Sequence, residues 1–187
     1  RDIPPATLRK NIGLLLQEGY VYSRTIAQNI GMAAETPSLD EIRAAANTAC
    51  VDGNIEEFAN GYDTVVGERG VTLSGGQRQR VAIARTLIRD TPYIIFDDSL
   101  SAVDSDTDSQ IRKNLREHES ADGNGVTTVI ISHRITTVMH ADNIIVLDGG
   151  KVIESGSHEK LVASNGMYKR IYDLQMSLPD DIKEEAR

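Results

Sequence analysis

Ser74 is followed by Gly75, Gly76 and Gln77, directly ahead of a run with helical spacing. Serine three places before glutamine is the spacing of a capping box, so Ser74 is predicted to cap the helix that follows. The first turn of a helix leaves backbone N–H groups free and carries the positive end of the helix dipole. Glycine inside a helix costs roughly 1 kcal/mol relative to alanine, so two of them at a helix start call for a reason. With no side chains in the way, a phosphate can approach the free N–H groups. The alternative is an ordinary capped helix after a flexible loop, and these four residues alone do not separate the two.

Ile94-Ile95-Phe96-Asp97-Asp98 ends an apolar run on two acids. One carboxylate at a strand end can hold Mg2+ through water, and the next can orient an attacking water. The plain alternative is a polar turn, which aspartate favours. Ile130-Ile131-Ser132-His133-Arg134 places His133 at the end of a second apolar run. If the two strands lie parallel, His133 shares a sheet edge with Asp97 and Asp98. Strand carboxyl ends are where open α/β sheets bind ligands. A lone histidine is more often structural; one that shares an edge with two acids carries more weight.

These residues need elements to position them. Residues 11–17, with Ile12 and Leu14, Leu15 and Leu16, read as a strand, and 26–31 as a short helix. Ser38-Leu-Asp-Glu41 repeats the capping-box spacing and predicts a helix running to about residue 50. A second short helix is expected over 55–60, and 61–70 is a loop. Residues 77–89 are helical, with Val81, Ala84 and Leu87 or Ile88 on one face. The runs 93–96 and 127–131 are continuous and apolar, like strands buried in a parallel sheet. Between them, 105–119 is polar and helix-compatible. Residues 143–147 and 151–154 flank Asp148-Gly149-Gly150 and read as a hairpin. Helices follow around 158–163 and 167–176, and the charged tail 178–187 is expected to fray. The first part is mostly helical and the second alternates strands and helices, which makes the fold α/β. No internal repeat is visible.

The 187 residues suffice for one domain with a sizeable core. A composition of 40% hydrophobic and 26% charged residues is ordinary for a globular protein. The net charge of −8 argues against non-specific nucleic-acid binding. The apolar runs fall far short of a membrane span. Residues 1–10 mix charge and proline, so no signal peptide is expected there. Cys50 stands alone, which excludes an internal disulfide and fits a reducing compartment. It reads as a small buried hydrophobe on a helix.

Taken in order, Leu73-Ser74-Gly75-Gly76-Gln77, Asp97-Asp98, Ser101-Ala-Val-Asp104 and His133 resemble the nucleotide-binding domain of ABC transporters over nearly the whole chain. The resemblance implies a partial P-loop NTPase (RecA-like) core with the ABC helical subdomain. Residues 1–17 would be a core strand leading to the Q-loop, 18–90 the helical subdomain, and 91–187 the C-terminal part of the ATPase core. It implies ATP and Mg2+ as ligands. Ser74, Gly75, Gly76 and Gln77 resemble the signature that closes on ATP held by an opposite subunit. Asp97 resembles the Walker B aspartate acting on Mg2+. Gln17 resembles the Q-loop glutamine that senses Mg2+ and the γ-phosphate. Asp104 ends a segment resembling the D-loop at a dimer interface, and His133 resembles the switch histidine. Asp63-Thr-Val-Val-Gly-Glu-Arg-Gly70 resembles the X-loop of exporters, which touches the coupling helices of a transmembrane domain. Residues 23–30 and Gly166-Met167-Tyr168 also favour an exporter. The implied partners are a second nucleotide-binding domain and a transmembrane domain, with no nucleic acid, at the cytoplasmic face of the membrane.

Two features depart from the pattern. No Gly-x-x-x-x-Gly-Lys-Ser/Thr occurs in the chain, and the adenine-stacking aromatic ahead of it is missing as well. With Arg1 in place of a start methionine, this implies a fragment lacking the Walker A loop and the β-subdomain, and inactive by itself. Second, Asp98 stands where the family has the glutamate general base. Aspartate is one methylene shorter, and misplacing a reacting group by about 1 Å can cost roughly 10²-fold. That replacement resembles the degenerate half of heterodimeric exporters; a homodimer that tolerates aspartate is the other possibility. Competing functions are a non-transport ABC-type ATPase, against which the absence of a long coiled-coil insertion speaks, and a non-catalytic regulatory or interaction fragment.

Overall fold

Several helix starts in this protein are set by the side chains just ahead of them. The computed structural model describes residues 2–67, 70–100, 103–122 and 125–177. Its elements are α1 (Pro5–Asn11), β1 (Ile12–Leu15), α2 (Ile26–Gly31), α3 (Leu39–Thr48), α4 (Asp52–Glu56) and a 3-10 turn at Gly61–Asp63. Then come α5 (Gly75–Leu87), β2 (Tyr93–Asp97), α6 (Ser105–Asp122), β3 (Thr127–Ile131) and α7 (Ile135–Val138). The last are β4 (Ile144–Asp148), β5 (Lys151–Gly156), α8 (His158–Ala163) and α9 (Met167–Ser177). Ser38 and Ser74 form the expected capping boxes, with Glu41 and Gln77. Thr25 and Gln28 form a third, at the start of α2. Each cap contributes about 1 kcal/mol.

Several boundaries differ from the sequence expectation. The strand expected over 11–17 is confined to β1, because α1 occupies the preceding residues with Pro5 in its first turn. The helix expected over 55–60 instead begins at Asp52 and ends at Glu56. Helix α3 stops at Thr48 because Cys50 adopts φ 55°, a left-handed conformation that a right-handed helix cannot pass through. Cys50 is therefore not a helical residue, and it is half-buried. Helix α7 was not foreseen, and the tail 178–187 lies outside the described residues.

The chain divides into two compact units, Arg1–Ile131 and Ser132–Arg187. In the first, β1, β2 and β3 form a parallel sheet in that order. Phe96 pairs with both Leu15 and Ile130. Leu15, Ile94 and Phe96 point into a core shared with α2, α3 and α5. Ala45 and Ala46 on α3, Ala49 just past its end, and Ala82 and Ala84 on α5 are all buried, and their small side chains let these helices pack closely. The alternate positions Leu14, Tyr93, Val129 and Ile131 are exposed. The expectation of strands buried on both faces is thus corrected. An apolar run reads as doubly covered only where helices lie on both sides of the sheet, and among the described residues of this unit they pack on one.

The second unit packs the β4–β5 hairpin with α7, α8 and α9 around Ile135, Ile144, Leu161 and Tyr168. Asp148 pairs with Lys151, which leaves Gly149 and Gly150 as the turn, at φ 53° and 75°. Two consecutive positive φ angles are the requirement of a type I′ turn, which glycine meets without steric cost. Among the described residues, no helix is long and apolar enough to cross a membrane.

Candidate functional site

The sheet brings two distant residues together. Gln17 lies just past β1 and Asp98 just past β2, on neighbouring parallel strands that end at the same edge. Gln17 Nε2 donates to Asp98 Oδ2 at 3.3 Å, across 81 positions of sequence. The Asp98 backbone N–H donates to the Ile131 carbonyl at 2.8 Å. Asp98 sits at φ 46°, in the left-handed region. Aspartate is among the few residues that tolerate it, since its short polar side chain can bond locally. The turn it makes ends the strand and leaves both Asp97 and Asp98 partly open to solvent.

A second feature is the start of α5. The Gln77 N–H donates to Ser74 Oγ at 3.2 Å, and the Ser74 N–H donates to Gln77 Oε1 at 3.0 Å. Both capping side chains are thus engaged with backbone. The Gly75 and Gly76 N–H groups, in the first turn, have no acceptor within the helix. A Cβ added at Gly75 would meet nothing within 4 Å. The helix start is open, carries free donors, and holds the positive end of a 13-residue dipole. It fits a phosphate.

The acids suit a hard cation. Among the described residues, no three His, Cys, Asp or Glu side chains group into a metal site. Mg2+ seldom needs one: it takes one or two carboxylates and fills its octahedron with water and substrate phosphate oxygens. Asp97, Asp98 and the Gln17 amide oxygen supply ligands of that kind.

The remaining sequence candidates fall elsewhere. Asp104 is exposed and caps α6, its Oδ1 accepting the Thr107 N–H at 2.9 Å. That bond holds its carboxyl below the ordinary aspartate range. Ser101 and Ala102 lie outside the described residues, as do Glu68 and Arg69. His133 is exposed and belongs to the second unit. There Gln175 of α9 donates from Nε2 to the His133 carbonyl at 2.8 Å and accepts the Ile135 N–H at 2.9 Å. The part of the 63–70 segment that is described is stitched to 24–26: Ile26 N–H donates to Thr64 O and Val66 N–H to Arg24 O, each at 3.0 Å.

Sequence reasoning missed two of these parts. The Thr25-Ile26-Ala27-Gln28 stretch, with its T-x-x-Q spacing, is a legible capping signal. Gln175 offered no local signal, since the loop it holds is 42 positions away.

Comparison with known proteins gives a consistent picture. The family model for ABC transporters matches residues 2–101. An uncharacterized ABC transporter ATP-binding protein, YfiB, of Bacillus subtilis (strain 168) is 45% identical over 175 residues, covering 94% of this chain and 30% of the relative. An ATP-dependent lipid A-core flippase of Haemophilus influenzae (strain 86-028NP) is 41% identical over 178 residues, covering 95% of this chain and 30% of the flippase. Among solved structures, a bacterial Atm1-family ABC exporter with ATP bound superposes with a TM-score of 0.84 at 39% identity, covering 92% of this chain and 30% of that one. The chain spans about 30% of the length of the curated relatives it matches.

Proposed function

Because the chain belongs to the ABC transporter family, we propose that it supplies the signature and the Gln17–Asp98 edge of an exporter's ATP-binding domain. In the whole protein, MgATP binding and hydrolysis at a dimer interface would drive export across a membrane, with this domain at the cytoplasmic face. The observation that carries this reading is the Gln17–Asp98 hydrogen bond at the carboxyl end of a parallel sheet. A neutral donor and a carboxylate side by side at such an edge support the handling of a γ-phosphate and its attacking water, as phosphoryl transfer requires.

The roles proposed for the individual residues are those the family resemblance implies. Asp97 and the Gln17 carbonyl would hold Mg2+, and the ion would supply positive charge against the transferring phosphoryl group. Asp98 orients water for in-line attack, and His133 takes the role of the switch histidine it resembles. Ser74, Gly75, Gly76 and Gln77 present the start of α5 to ATP bound by a partner nucleotide-binding domain. Asp104 orders the approach to that interface by fixing the first turn of α6. Residues 63–70 face the coupling helices of the transmembrane partner. The Walker A lysine is not in this sequence, so residues 1–187 alone are expected to turn over no ATP. The short Asp98 supports a second, finer proposal: this site is the weaker one of a heterodimeric exporter.

MgATP binding by the whole transporter tests the assignment, whichever of its two sites turns over faster. Asp97→Ala should raise the Mg2+ concentration needed for half-maximal MgATP binding at this site, and Gln17→Ala should weaken that binding. Two variants with wild-type Mg2+ dependence and affinity would refute it.

A further inference from the structure

Arg85, in the last turn of α5, spends its guanidinium on neutral groups of another segment. Its Nε donates to the Asn29 carbonyl at 2.6 Å, Nη1 to the Tyr20 carbonyl at 2.8 Å, and Nη2 to Asn29 Oδ1 at 3.0 Å. The guanidinium carbon lies 5.4 Å from the centre of the Tyr22 ring. Burial lowers its pKa, as expected for a cation taken from water without a carboxylate against it. Asn29 is fully buried and relays the grip. Its Oδ1 accepts the Tyr22 N–H at 2.8 Å, and its Nδ2 donates to the Tyr22 carbonyl at 2.9 Å.

The same segment meets α5 a second time. A Cβ on Gly19 would come within 2.9 Å of Gln79 Cα and 3.0 Å of the Arg78 carbonyl, so the backbone there lies directly on the helix. Gln79 and Arg85 are about 9 Å apart along the axis, at 1.5 Å per residue. Residues 19–22 are therefore strapped to α5 at two points. The strap leads back to Gln17 on Asp98, and α5 leads back to Ser74 and Gly75. On its outer side Tyr20 and Tyr22 stand 66% and 44% exposed, with their rings edge to face at 4.9 Å.

We infer that Arg85 is a positioning residue that makes the 19–22 strap and helix α5 one moving body, so that displacement at the strap and displacement at the signature end are the same event. This rests on the proposed function and adds the residue that joins its two parts. The planar fork holds three acceptors at fixed angles, which lysine, a point charge on a flexible stem, would not do.

The test is hydrogen exchange on the full-length transporter, with and without a non-hydrolysable ATP analogue and Mg2+, in wild type and Arg85→Lys. In wild type, amides of the strap and of the start of α5 should change protection together. In Arg85→Lys, the response at the start of α5 should persist while that of the strap falls about threefold or more, a coupling loss of ordinary size. MgATP KM and basal kcat should stay within about twofold of wild type, below that coupling range. A strap that still responds fully in Arg85→Lys overturns the inference. So does an equal loss of strap response, basal kcat and melting temperature, which would mark Arg85 as structural only. Should Arg85→Lys fail to assemble, wild type decides: independent exchange of strap and helix overturns the inference, and joint exchange sustains it. A wild type that ignores nucleotide refutes the functional reading itself, which is a separate result.

Discussion

Replacing Gly75 by alanine should make the domain more stable and less active at once. Gly75 is the first residue of α5 and is exposed. A Cβ there meets no atom within 4 Å, so the fold does not oppose the methyl group. Removing a glycine from a helical position gains roughly 0.5–1 kcal/mol, mostly by restricting the unfolded chain. For a domain of this size that is a rise of about 1–4 °C in melting temperature. On the proposed function, the same open space is what the phosphate of a partner-bound ATP needs. A methyl group there holds the phosphate away from the free N–H groups, and losing one such donor costs about 10²–10³-fold in kcat. Thermal unfolding and steady-state MgATP turnover of the full-length transporter would be measured side by side. A fall in melting temperature would refute the geometry of the helix start. An unchanged kcat at higher stability would refute the assignment of that start to a phosphate.

Two further outcomes follow from single residues. If this site is the weaker of two, Asp98→Asn should leave the turnover of the assembled transporter largely intact, and Asp98→Glu should raise it; a loss of about 10²–10⁴-fold in Asp98→Asn, as for a missing general base, would reject the degenerate half and leave the family assignment standing. Asp104 caps α6 as a carboxylate whose pKa is depressed by the Thr107 N–H, so its stabilisation is present above the unfolded aspartate value of about 3.9 and is lost as pH falls through the lower folded value. Exchange of the Thr107 amide should therefore accelerate under acid in wild type but not in Asp104→Asn, and an identical acid response in both would show that another group controls the cap.

Much of the site was legible because its signals are local. A capping box spans four residues, so Ser74 and Gln77 announced the start of α5, and Ser38 and Glu41 that of α3, before any packing was known. The Asp148-Gly149-Gly150 turn was equally plain, since few residue pairs other than glycines accept two positive φ angles. The end of α3 was not legible. Cys50 has no sequence mark of a left-handed residue; its conformation is fixed by tertiary contacts, among them Arg80 Nη1 donating to its carbonyl at 2.5 Å.

The sequence by itself determined the chemical vocabulary of this protein: a glycine start to a helix, paired acids at a strand end, a histidine after another strand, and the family those motifs resemble. Only the tertiary structure decided which of these touch. Gln17 reaches Asp98 because β1 and β2 pair in parallel with Leu15 opposite Phe96, and a shift of one residue would turn every side chain to the other face. Strand register is set by the whole core at once, as is the choice of which sheet face is covered, and neither is written in a local run of apolar residues. Arg85 shows the same limit: in sequence it is one more cation on a helix, and its fork acquires meaning only where α2 and the 19–22 strap fold against it.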